Sequence, residues 1–153
     1  MIYLITLTLH SWVRWLVVVT GLIAVVRAIS GTTSRRPWTP LDDRSAFLFT
    51  MMLDLQMLIG LLLYVWLSPI TREAFRDIGG AMKSNGLRFW AVEHVFGMIV
   101  ALALAHIGRA RIRKADPSRR HKLALIFFAL AFLVLMASIP WPGMPYGRPL
   151  LRW

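Results

Sequence analysis

Four apolar stretches separated by polar, Gly- and Pro-bearing intervals set the pattern of this chain, over residues 4–29, 46–67, 89–108 and 122–139. Each has about the 18–25 residues that a helix needs to cross a hydrocarbon core of about 30 Å. The run Ser30-Gly31-Thr32-Thr33-Ser34 with Pro37 predicts a loop after the first stretch, and Asp116-Pro117-Ser118 predicts one before the fourth. Pro140, Pro142, Gly143, Pro145 and Pro149 end the last helix and predict a stiff, extended tail. The longest interval, residues 68–88, is expected to hold a short amphipathic helix near 72–78. The first stretch lacks a basic start, runs too far and has no A-x-A-like cleavage site, so it reads as a membrane helix rather than a signal peptide. No internal repeat is visible. The pattern predicts an all-α integral membrane protein, one domain over residues 1–153, folded as a four-helix up-down-up-down bundle.

Composition strengthens this reading. Of 153 residues 58% are hydrophobic, above the share of about 45–50% in soluble domains, and the mean hydropathy is +0.61. The net charge of +11 lies between the apolar stretches instead of in a tail or groove motif, which argues for anionic headgroups and against nucleic acid. Eleven basic residues flank the first and third intervals: Arg27, Arg35, Arg36, Arg44, Arg109, Arg111, Arg113, Lys114, Arg119, Arg120 and Lys122. Six lie on the other side: Arg72, Arg76, Lys83, Arg88, Arg148 and Arg152. This bias places the first and third loops in the cytoplasm and both termini on the periplasmic side. Trp12, Trp66, Trp90 and Trp141 fall near the outer ends and Trp38 near the inner one, at headgroup depth. The absence of cysteine excludes disulfides and thiolate-ligated metal or haem.

Polar residues inside the spans are the candidate chemistry, because a charge at bilayer depth costs at least about 2.5–3.5 kcal/mol. His10 and His94 both fall about 10 Å below the outer surface, the arrangement an axial haem pair requires. A hydrogen bond between the two helices accounts for matched histidines equally well. Arg14 and Asp54 fall near the midplane, with Glu93 a competing partner for Arg14, and the three are expected to form a buried polar network. A structural ion pair is the plain explanation; proton relay or contact with a quinone headgroup is the sharper one. His106 and His121, on either side of the basic loop, are candidates for a second haem, although interfacial solvation explains both. His94 and His106 also stand about 120° out of line on a straight helix. The Gly97, Ala101 and Ala105 positions read as helix packing, and Met51, Met52 and Met57 as adaptable core filling.

The run His10-Ser11-Trp12-Val13-Arg14-Trp15, then Glu93-His94, then Ser138-Ile139-Pro140-Trp141-Pro142 with Arg148-Pro149, resembles small bacterial four-helix membrane proteins described as cytochrome b or cytochrome b561-like. The likeness covers the chain from His10 to Pro149. It implies a multi-pass electron carrier of the bacterial cytoplasmic (inner) membrane that binds haem b, with His10 and His94 as ligands to the iron. A haem-free accessory subunit of a larger respiratory or photosynthetic complex is the alternative expectation. A proton-coupled carrier built on Arg14, Asp54 and Glu93 is a third, for which four spans are few. Expected partners are the lipid bilayer, a quinone, and a larger membrane complex or further copies of the chain.

Overall fold

A computed structural model describes residues 1–151; Arg152, counted above with the outer charges, lies outside the described residues. The chain forms α1 (Ile2–Thr33), α2 (Pro40–Leu62), α3 (Pro69–Arg76), α4 (Ile78–Lys83), α5 (Asn85–Arg88), α6 (His94–Lys114) and α7 (Pro117–Ser138). Wider π turns extend α2 over Leu63–Leu67 and precede α6 over Phe89–Glu93. Four continuous helical stretches, Ile2–Thr33, Pro40–Leu67, Asn85–Lys114 and Pro117–Ser138, are long and apolar enough to cross a membrane.

α1 packs on α2 and α7, and α6 packs on α7 and, more sparsely, on α2. Small side chains let the backbones approach. Ala101 and Ala105 of α6 and Ala131 of α7 are fully buried, and Phe49, Phe128 and Leu135 fill the centre beside Val17. Gly21 is needed where α1 passes Phe49 and Phe132, since a Cβ there would lie 2.8 Å from each ring. Outside this core many Leu, Ile and Val side chains point outward, as helices bathed in lipid should show.

Several boundaries differ from those the sequence predicts. α1 runs through Ser30-Gly31-Thr32-Thr33 because Thr32 and Thr33 return their hydroxyls to the carbonyls of Ala28 and Ile29, and Gly31 accommodates the buried His121 ring. The turn falls instead at Arg35, which adopts a positive φ of 50°. α2 starts at Pro40, earlier than expected, since Asp42 accepts from both the backbone N–H and the hydroxyl of Thr39, at 2.9 and 2.7 Å. α6 continues past Gly108 to Lys114. The amphipathic helix is present as α3, and two further short helices come after it. The tail is not extended: it folds back, with Arg148 N–H donating to the Pro140 carbonyl at 3.0 Å and Tyr146 stacking on Phe89 at 3.7 Å.

Asp42 locks the α1–α2 connection. Only 2% exposed, it accepts from Arg27 at 2.9 Å and from both terminal nitrogens of Arg36 at 2.7 and 2.8 Å. The carboxylate is thus bonded on both oxygens, which is the condition for a buried charge to be tolerated. Asp42→Ala leaves two part-buried guanidiniums uncompensated, and we expect a loss of about 3–5 kcal/mol in detergent unfolding titrations. Arg44→Ala, which removes an arginine outside this cluster, should change stability by less than about 0.5 kcal/mol.

Candidate functional site

The spans bring His10 and His94 together beside a cavity of about 130 Å³ at one end of the bundle. Their ring centroids lie 6.4 Å apart with the planes at 73°. The His94 position arises from local backbone geometry. In the π turn before α6 the His94 N–H bonds to the Phe89 carbonyl, five residues back, which adds a residue to the turn and shifts the phase of α6 relative to the turn. His94 therefore points inward while its neighbour Glu93 points out. The second π turn faces the first, and Tyr64 Oη of that turn donates to the Ala91 carbonyl at 2.6 Å. Phe89 and Trp90 frame the His94 ring at 5.7 and 5.5 Å.

Hydrogen bonding fixes which nitrogens are free. His94 Nδ1 lies 2.8 Å from the Ser138 carbonyl; a carbonyl only accepts, so Nδ1 carries the proton and Nε2 keeps its lone pair. Metal-bound histidines characteristically have this second bond. The Gln56 amide donates to the His10 carbonyl at 3.1 Å and sits 3.2 Å from His10 Nε2. Gln56 Oε1 and His10 Nδ1 are buried without a partner. Gly60 leaves room for the His10 ring, whose Cε1 would lie 3.1 Å from a Cβ there. Arg14 and Arg148 also line the cavity, and Arg148 stacks over Trp90 at 5.0 Å.

The spacing can be tested against metal ligation. Two imidazole nitrogens at about 2.0–2.1 Å on opposite sides of one metal, each about 1.1 Å from its ring centroid, put the centroids about 6.3 Å apart. The observed 6.4 Å has that length, and it is also an ordinary spacing for two rings in direct edge-to-face contact. No group of three or more His, Cys, Asp or Glu that could hold a metal ion occurs among the described residues. A metal held by these two imidazoles would have to bring further ligands of its own, as a haem does. The guanidiniums of Arg14 and Arg148 would be the partners for carboxylates on such a ligand. The cavity is smaller than the roughly 300–1,000 Å³ of ligand pockets, so a macrocycle would require the flexible Met57, Met98 and Gln56 side chains of its lining to move.

The expected network of Arg14, Asp54 and Glu93 does not form. Asp54 pairs with His106, Nε2 to Oδ1 at 2.7 Å, and both side chains are about half exposed. Glu93 is exposed and pairs with Arg88 at 2.6 Å. Arg14 donates to the Leu150 carbonyl, which also accepts from Trp15 Nε1 at 2.9 Å, and it reaches Ser11 Oγ at 3.4 Å. These three residues point in different directions around their helices.

The second histidine pair is divided as well. His106 faces outward with Asp54, whereas His121 is buried against Gly31, its ring 4.9 Å from Trp38. They share no bonding partner, so the geometry offers no second haem. Sequence reasoning missed Gln56, Ser138 and Tyr64. Only Gln56 carries a sequence signal, an amide within an apolar span.

A Cβ at Gly97 would collide with the Ser138 side chain, whose carbonyl orients His94. Gly97→Ala should thus cost about 1–3 kcal/mol by overpacking, whereas Gly86→Ala, with open space around it, should be neutral or slightly stabilising in the same unfolding assay. Comparison with protein-family models, curated proteins and solved structures finds no match to this chain.

Proposed function

We propose that this chain is a small b-type cytochrome of the bacterial cytoplasmic membrane, holding one non-covalent haem b between His10 and His94 and passing single electrons between a quinol pool and a partner. The observation that carries the reading is the 6.4 Å ring spacing, together with the His94 Nδ1 bond that leaves Nε2 as a ligand. When bound, the haem supplies one-electron redox chemistry. The remaining roles belong to the chain itself.

His10 and His94 would hold the iron from two helices, and two imidazole ligands would suit electron transfer rather than substrate turnover. The Ser138 carbonyl orients His94 and makes it a stronger donor. Gln56 holds α2 to the His10 backbone and sits against Nε2, which leaves Nδ1 as the His10 nitrogen without a partner. Arg14 and Arg148 would pair with the carboxylates of the bound group. The apolar lining keeps water from the site and thereby tunes its potential.

The reading includes an up-down-up-down course with both termini periplasmic. Contacts of His10 with Gln56 and His94 at one end, and of His121 with Trp38 and Pro37 at the other, support that course. The basic residues support the orientation. Cysteines introduced as Thr33→Cys and Asp116→Cys should react with an impermeant maleimide only after the cells are permeabilised. Labelling of either in intact cells overturns the orientation.

Protein purified from haem-replete cells should show a Soret band and a reduced α-band. His10→Ala and His94→Ala should each lose most of the bound haem, and His106→Ala and His121→Ala should retain it. A wild-type protein without Soret absorbance overturns the cytochrome reading. Its recovery in fixed stoichiometry with other membrane subunits would then favour the accessory role.

A further inference from the structure

Among the spans that pack on one another, α2 and α6 meet most sparsely, and polar groups along their seam sit where lipid would touch them. Asp54 lies at the middle of the Pro40–Leu67 span, yet its side chain is 47% exposed and that of His106 is 48% exposed. Hydrocarbon offers such a pair no further partner, so exposed ionisable groups at this depth call for protein cover. Toward the basic end of α6 the seam continues with Arg109, which donates to Thr50 Oγ1 at 3.3 Å and stacks over Phe47 at 4.7 Å. That arginine is long enough to reach headgroups; Asp54 and His106 are not.

We propose that a second copy of this chain covers the seam, forming a two-fold dimer through α2 and α6. Charge complementarity selects a copy over other occupants. Each seam presents one carboxylate oxygen, Asp54 Oδ2, and one ring nitrogen, His106 Nδ1, beyond the bond the two already make. Across a two-fold axis Oδ2 of one copy meets Nδ1 of the other, twice, as an isologous interface requires. One proton between them completes each bond in either state, imidazolium to carboxylate or carboxylic acid to imidazole. The surface beside the pair also suits a helix rather than a bulky ligand. Ala103 and Ala110, roughly one turn to either side of His106, are both exposed, so a facing backbone can come close. Leu58, one turn from Asp54 and 67% exposed, adds an apolar flank. This inference does not depend on haem binding.

The chain contains no cysteine, so single substitutions report contacts without background. In liposomes of phosphatidylethanolamine and phosphatidylglycerol, Ala103→Cys should form a disulfide dimer on mild oxidation. Leu22→Cys, on the outward face of α1, should stay monomeric. Adding Asp54→Asn and His106→Gln to Ala103→Cys should lower the crosslinked fraction about tenfold at limiting protein density, the effect of losing interhelical hydrogen bonds. Fluorophore-labelled wild-type protein should bleach in two steps. Single-step bleaching, or no Ala103→Cys crosslink in protein whose circular dichroism is fully helical, overturns the proposal. So do equal crosslinking at Ala103 and Leu22, and a crosslink indifferent to the Asp54 and His106 changes.

Discussion

Hydrocarbon gives a polar side chain nothing to bond to, and nearly every polar placement in this protein answers that constraint. Threonines in the spans return their hydroxyls to carbonyls of the preceding turn, as Thr6, Thr20 and Thr50 do. Ser138 does the same with Val134. Asp42 is bonded on both oxygens by two arginines and a threonine. His94 spends one nitrogen on a carbonyl. Against this background, polar atoms left unmatched stand out: His10 Nδ1 and Gln56 Oε1 at one end, and His121 Nδ1 and Trp38 Nε1 at the other.

The two ends of the bundle use histidine differently. Near Gly31 the imidazole of His121 fills space against a glycine and an indole, a packing role that a cavity would not serve. Near Gly60 the ring of His10 borders open volume, faces a second imidazole and is touched by an amide that can move. The same residue type is a wedge in one place and a donor set in the other. Free space and a second imidazole separate the two.

Much of this could be read from the sequence, for identifiable reasons. Span number derives from length and hydropathy, which depend on the bilayer alone. The proximity of His10 and His94 derives from depth, because helical rise is nearly constant. Facing direction was harder to read. Asp54 and Glu93 sit at useful depths but point away from Arg14, and the π turn before α6 shifts the phase by a residue that no 3.6-residue count anticipates. The helix through Ser30-Gly31-Thr32-Thr33 is hidden in the sequence because threonine back-bonding and a glycine that accommodates a distant ring look like a loop. The fold-back of the tail is hidden because prolines announce a break without saying where the chain goes next.

That fold-back has a consequence for how the protein is made. The Leu150 carbonyl reaches across to Arg14 and Trp15, residues from the opposite end of the described chain. Ribosomes deliver α1 well before the segment that follows α7, so Arg14 enters the bilayer before this partner exists. Until the tail arrives, the cavity beside His10 and His94 lacks the wall that Arg148 and Pro149 provide. Closure of this end is therefore post-insertional: the cavity gains its last wall only after α7 has been made.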